Sequence, residues 1–106
     1  MAKLKFFLEF SPDVVHHLDA IDRKHHGALR QTIEEQLCHT PSEETRNRKP
    51  LKRPGPFAAS WELRCGPQNA FRVFCRIDVE QHMVGIVAIG VKEGNKIFFG
   101  LKEFKP

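Results

Sequence analysis

The run MVGIVAIG (residues 83–90) is apolar at both parities of a β-strand, and a strand that offers water neither face must lie centrally in a sheet. Just before it, FRVFCRID (71–78) alternates strictly. Phe71, Val73, Cys75 and Ile77 share one face, and Arg72, Phe74, Arg76 and Asp78 the other, with DVEQH as the turn between the two runs. WELRC (61–65) repeats the pattern: Trp61, Leu63 and Cys65 oppose Glu62 and Arg64, and CGPQN is turn material. Three strands in succession, joined by short turns, predict a mostly antiparallel meander with one apolar face to cover.

The cover comes from the N-terminal third. KLKFFLEF (3–10) alternates, with Leu4, Phe6, Leu8 and Phe10 on one face and Lys3, Lys5 and Glu9 on the other, which predicts a first strand. Ser11-Pro12-Asp13 then reads as an N-cap, a proline at the first helical position and an acid in the first turn. Val14, Val15, Leu18 and Ile21 follow at helical spacing. Gly27 interrupts them, and Leu29, Ile33 and Leu37 form a second stripe that stops before Thr40-Pro41. After the meander, VKEGNKIFFGLKEFKP has a turn at Gly94-Asn95, and its remainder fits a strand and a short helix equally. The predicted class is α+β: an N-terminal strand, a helical hairpin, then a mostly antiparallel three-strand meander (β-α-α-β-β-β), as one domain over residues 1–106.

With 106 residues, 41% hydrophobic and 28% charged, the chain holds enough apolar material for one core and is neither disordered nor membrane-spanning in composition. The formal charge of +4 favours nucleic acid or an acidic protein partner. Cys38, Cys65 and Cys75 are odd in number and lack a CxxC pair, so buried free thiols in a reducing cytoplasm are expected. The N-terminus has no apolar run of signal-peptide or membrane-span length, which agrees with a cytoplasmic location and no membrane partner.

Two features point past the fold. Pro41 to Phe57 forms a connection of unusual length, rich in proline and carrying Arg46, Arg48, Lys49, Lys52 and Arg53. These cations suit an RNA backbone, or else solubility and partner pairing. On the sheet's second face, Arg64, Arg72, Arg76 and Lys92 are placed to converge, an arrangement suited to phosphate. Periodicity leaves the alternative open that this is a solvated face paired with Glu62, Asp78 and Glu80. Phe74, among these arginines, is a candidate base-stacking platform or a contact for a partner segment. His16, His17, His25 and His26 do not have the i, i+4 spacing of a metal site, so surface positions and no metal are expected. His82 is placed in a turn away from Arg72 and exposed.

Taken in order, PLKRPGPFAASWELR, FRVFCRID and VGIVAIGVK, following a strand and a helical hairpin, resemble the RelE/ParE superfamily of bacterial toxins. The resemblance runs from the first strand to about Lys92. It implies a toxin neutralised by an antitoxin protein and needing no cofactor. In the RelE-like branch such a toxin acts with the ribosome and cuts mRNA, a ribose 2′-OH attacking the adjacent phosphate. In the ParE-like branch it poisons DNA gyrase by binding, and an inactive relative would persist as a binding module. Carried onto this sequence, the nuclease branch gives Arg72 as the group that stabilises the transition state, Lys92 and Arg64 as phosphate-positioning cations and Glu62 as a base. The chain departs from the best-known enzymes in having Glu62 where they carry a second basic residue. It also has no tyrosine, with Phe98 and Phe99 where those enzymes carry a C-terminal tyrosine or histidine.

Overall fold

The computed structural model describes residues 5–105, so Lys3 and Leu4 of the first predicted strand lie outside the described residues. The chain runs β1 (Phe7–Phe10), α1 (Pro12–Asp19), α2 (His26–Leu37), β2 (Arg48–Pro50), β3 (Trp61–Cys65), β4 (Phe71–Asp78), β5 (Met83–Glu93), β6 (Lys96–Phe99) and β7 (Lys102–Glu103). The strands form one sheet in the order β2-β3-β4-β5-β6-β7, antiparallel throughout that path, while β1 pairs with β5 in parallel. The predicted α+β class and the meander of β3, β4 and β5 hold. The tail resolves into strands, and the long connection contains a strand of its own.

Ser11 caps α1 as its sequence suggests: its Oγ accepts the Asp13 backbone N–H at 3.2 Å, and Pro12 opens the helix. Gly27 does not break the helical segment. It sits in the first turn of α2, and the chain turns earlier, at Ala20–Asp22, where Asp22 Oδ1 accepts the Lys24 N–H at 3.0 Å. Both helices cover one sheet face, burying Val14, Ile21, Leu29, Ile33 and Leu37 against Leu63, Val73, Cys75, Val84, Ile86 and Ile89. Burial pushes the thiols of Cys65 and Cys75 up to about 11 and about 12, so at neutral pH both behave as small apolar groups.

Register explains how MVGIVAIG stays apolar without violating the pattern of its neighbour. Phe74 pairs with Ala88 but Cys75 with Ile86, so Val87 is one residue extra, a β-bulge. Before the bulge Val84 and Ile86 face the helices, and after it Ile89 and Val91 do. The opposite face, called the open face below, receives Gly85, Ala88 and Gly90 across from Arg76, Phe74 and Arg72. A Cβ on Gly90 would stand 2.8 Å from both Ile97 Cγ2 and Phe99 Cε1, so only glycine admits β6 at this distance. Ala59, Phe74, Ala88 and Phe99 make a second small core there.

Along its outer edge β5 has two part-length neighbours, β1 at Met83–Ile86 and β6 at Val91–Glu93. His17 of α1 fills the gap between them: its Nδ1 accepts the Ile89 backbone N–H at 3.1 Å, and its ring packs on Phe57 and Phe99. His17 is 6% exposed, which corrects its expected surface position. His26 is also engaged, its Nε2 lying 3.0 Å from Leu18 O and 2.9 Å from Ile21 O. The physical reason is the same in both cases. Imidazole nitrogens serve backbone groups where α1 ends and where the sheet edge is split, although Leu18 O also accepts the Ile21 N–H at 2.9 Å.

Arg48 is a second correction. It is 4% exposed and faces the helices, because its partner across the ladder is Leu63. Its Nε donates to Glu43 O at 2.7 Å, its Nη1 to Gln36 O and its Nη2 to Thr40 Oγ1 at 3.5 Å. A cation at the end of α2 satisfies carbonyls that the helix leaves open, and it is not available to RNA. Burial lowers its pKa and the Glu43 carboxylate opposes that shift.

Two outcomes follow from these contacts. Arg48→Ala removes the donors that its part-buried carbonyl partners use and should cost about 1–3 kcal/mol of stability, measurable by urea unfolding. A loss below about 0.5 kcal/mol, the range of surface substitutions, would contradict the assignment. For His17, burial lowers the pKa, assisted by His16 and opposed by Asp13. The unfolded chain then takes up its proton at a higher pH than the folded one. The contribution is complete above the ordinary histidine value of about 6.5 and is lost as pH falls through it toward the lowered folded value. Melting temperature should therefore drop on acidification between about pH 7.5 and 5.5, and less steeply for His17→Gln, which can still accept the Ile89 N–H. An equal drop in both proteins would remove His17 from the account.

Candidate functional site

Strand parity gathers the site. Glu62 and Arg64, two residues apart on β3, point to the open face, and Arg64 stands directly opposite Arg72 of β4. One carboxylate oxygen ties the three together: Glu62 Oε1 accepts from Arg64 Nε at 3.0 Å and from Arg72 Nη1 at 3.1 Å. Arg72 Nε donates to Asn69 O at 3.1 Å, so its guanidinium is fixed from two sides. The side chains of Arg72 and Glu62 are 9% and 15% exposed, whereas that of Arg64 is 41% exposed. The cluster thus has a fixed, sheltered floor and one accessible guanidinium.

Arg72 owes its place to its neighbours on both sides. Gly90 lies opposite it on β5, and a side chain there would already collide with β6. Lys92, two residues further along β5, shares that face. Its backbone N–H donates to Ala70 O at 2.8 Å, and its side chain is exposed and takes part in none of the ion pairs among the described residues. The carboxylates weighed as partners for a solvated face separate here. Glu62 binds the arginines, while Asp78 Oδ1 accepts the Gln81 N–H in the following turn.

The basic connection divides by parity as well. In β2, Lys49 pairs with Glu62 and so joins the open face beside the arginine cluster, while Arg48 turns inward. Arg46, Lys52 and Arg53 are exposed. Arg46 and Arg64 line a polar groove with Thr32, Gln36, Asn47 and Asn69, where the sheet edge meets α2. The placement of Lys49 had no usable signal in the sequence, because a three-residue strand ending at Pro50 is too short to show a period.

Two further expectations change. Phe74 lies on the open face, but it is 2% exposed, packed edge-on against Phe99 at 5.8 Å. It is core, since β6 and the 51–59 loop roof over it, and it has no ring face to offer a base. Arg76 is exposed but directs its donors inward, Nε to Ala58 O at 3.1 Å and Nη2 to Phe57 O at 2.9 Å. Phe99, in the neighbourhood of the missing tyrosine, is 7% exposed and part of the same small core. His82 is half-buried against Phe6 with ring centroids 4.9 Å apart, at the far end of β5 from Gly90, the residue paired with Arg72.

A groove of about 1040 Å³ lies elsewhere, between β1 and α2, where Phe6, Leu8, Leu29 and Ile33 form an apolar lining and Arg30, Glu34, Glu35 and His39 also border it. None of Glu62, Arg64, Arg72 and Lys92 lines it, so it is separate from the open-face cluster. Among the described residues no three His, Cys, Asp or Glu side chains are grouped to hold a metal ion, and no helix is long and apolar enough to cross a membrane.

No protein-family model matches the chain, and no curated protein matches it by sequence. Among solved structures it is similar to the RelBE2 toxin–antitoxin complex from Mycobacterium tuberculosis, with a TM-score of 0.68 at 22% identity over 86% of this chain and 95% of the matched one. At that identity the likeness speaks for architecture alone. The chain has the RelE-like toxin fold.

Proposed function

We propose that this protein is the toxin of a toxin–antitoxin pair and cleaves mRNA on the ribosome at the open face. The observation that carries the reading is the Glu62 carboxylate held between Arg64 and Arg72, with Lys49 and Lys92 on the same face. Two guanidiniums converge on one oxygen, which is the arrangement a phosphate oxygen would require. The similar structure is itself a toxin–antitoxin complex, and the charge of +4 suits an acidic neutralising partner as well as RNA.

In this reading the ribose 2′-oxygen attacks the adjacent phosphorus and the P–O5′ bond breaks, leaving a 2′,3′-cyclic phosphate and a 5′-hydroxyl. Negative charge grows on the non-bridging oxygens during attack. Arg72, already fixed by Glu62 and Asn69, stabilises that charge without reorganising. Arg64, the accessible member, binds the phosphate on arrival, and Lys92 offsets charge on the leaving 5′-oxygen. Both arginine contacts use Oε1 of Glu62, and Oε2 is the atom we assign to take the 2′-OH proton. The proton that completes the 5′-hydroxyl comes from solvent.

The ParE-like alternative, a gyrase inhibitor acting by binding, gains from the absence of tyrosine, which removes one familiar proton carrier. Induced expression followed by mapping of mRNA 5′ ends, beside a gyrase supercoiling assay, separates the two. Cuts phased to the ribosome support the nuclease, and trapped gyrase–DNA complexes overturn it. Within the nuclease reading, Arg72→Ala should lower cleavage of ribosome-bound mRNA on the order of a hundred- to a thousandfold. Because Arg72 is sheltered and paired, the same change should cost about 1–3 kcal/mol of stability, so melting temperature must be followed alongside. Arg72→Lys should recover part of the rate, keeping the charge but losing the two-pronged geometry. Cleavage by a folded Arg72→Ala protein at the wild-type rate would refute this role.

A further inference from the structure

The loop between β2 and β3 holds an exposed aromatic ring in a backbone conformation that its own sequence disfavours. Phe57 and Ala58 are consecutive non-glycine residues with φ of 57° and 58°, in the left-handed region where a Cβ crowds the carbonyl. Arg76 stabilises both, donating to Phe57 O and to Ala58 O from β4. The loop is closed by backbone bonds as well: Leu51 N–H to Ser60 O and Gly55 N–H to Ala59 O, each at 2.9 Å. The Phe57 ring is supported edge-on by Phe99 at 5.4 Å and His17 at 5.3 Å, and the residue remains 40% exposed. A sequence of this kind could have turned the ring into the small core beneath. Instead the Arg76 contacts hold its backbone, and the ring rests against Phe99 and His17 at the rim of that core while the residue stays 40% exposed.

The ring packs against Phe99 of the open face, and the segments that carry these two rings, or pair with them, also carry cations. Lys52 and Arg53 belong to the same loop, and Lys102 pairs with Phe99 across β6 and β7. Glu103, the nearby acid, is engaged with Lys96 at 3.8 Å. Cations around a rigid, partly exposed aromatic ring suit single-stranded nucleic acid, in which phosphates and base faces alternate. The geometry points to Phe57 as the platform on which a base of single-stranded RNA stacks at the open face, with Arg76 the positioning residue that holds it there. This extends the reading of the open face as an RNA site. It also moves the stacking role from Phe74, which is buried, to a residue 17 positions earlier in the chain.

Rigidity is what the Arg76 contacts contribute. A ring already fixed in place loses little freedom when a base stacks on it, so more of the stacking energy appears as affinity. The role differs from that of a phosphate-binding cation, and salt separates the two.

The test is a fluorescence titration of the full chain with a short single-stranded RNA carrying 2-aminopurine, across a range of salt. Wild type, Phe57→Leu, Phe57→Trp and Arg76→Ala are compared, with ribosome-bound mRNA cleavage and melting temperature measured alongside. Phe57→Leu should bind roughly tenfold more weakly and lose the quenching that marks stacking, whereas Phe57→Trp should keep both. Arg76→Ala should weaken binding with the salt slope unchanged, since a cation on phosphate would lower that slope by about one. Quenching by Phe57→Leu equal to wild type, or no quenching by wild type, overturns the inference. So does a Phe57→Leu protein that has lost only affinity for a protein partner. Quenching that depends on Phe57, without cleavage by wild type on ribosomes, would leave the platform standing and reject the nuclease.

Discussion

The pairing of β4 with β5 is the constraint on which the other features depend. These are the two longest strands, and the single extra residue at Val87 lets an apolar run serve two cores. Without the bulge, a strict alternation would carry the residues after it to the wrong faces, and Ile89 would leave the helices. With it, large residues meet the helices, and Gly85, Ala88 and Gly90 are delivered to the open face. Small residues there leave space for Arg72 and Phe74 on the adjacent strand and for Ile97 and Phe99 from β6. The room in which the arginine cluster sits is therefore made by β5.

That arrangement also decides which charges are fixed and which are free. Arg48, Arg72 and Arg76 all direct guanidinium donors to backbone carbonyls, and only Arg72 does so while bound to a carboxylate at the open face. A buried guanidinium without such partners would be costly, so its presence on the floor of the site depends on Glu62 and the Asn69 carbonyl. Glu62 thereby has a structural duty whatever its part in chemistry. It keeps two cations within hydrogen-bonding distance of one oxygen, against their mutual repulsion.

The edge of β5 illustrates how a fold of this size manages an incomplete ladder. β1 and β6 share that edge and do not meet, and the N–H of Ile89 is left between them. A histidine from α1 supplies the acceptor and simultaneously packs against Phe57 and Phe99. Helix, sheet edge, loop and C-terminal strands are thus joined through one imidazole. Disturbance at His17 would reach the second core and the loop that presents Phe57.

Much of this was legible in the residues. Period two marked β3, β4 and β5, and the Ser11-Pro12-Asp13 cap marked the start of α1. Alternation also put Arg64, Arg72 and Glu62 on one face, because each of these signals is local to a few neighbouring residues. What the sequence left undetermined depends on pairing between distant segments. That Lys49 joins the site while Arg48 caps a helix follows from the register of a three-residue strand against β3. Burial of Phe74 and His17, and exposure of Phe57, follow from how β6 and the 51–59 loop close over the sheet. Parity assigns a side chain to a face of the sheet, but only the elements that pack on that face decide whether it meets water, and those come from elsewhere in the chain.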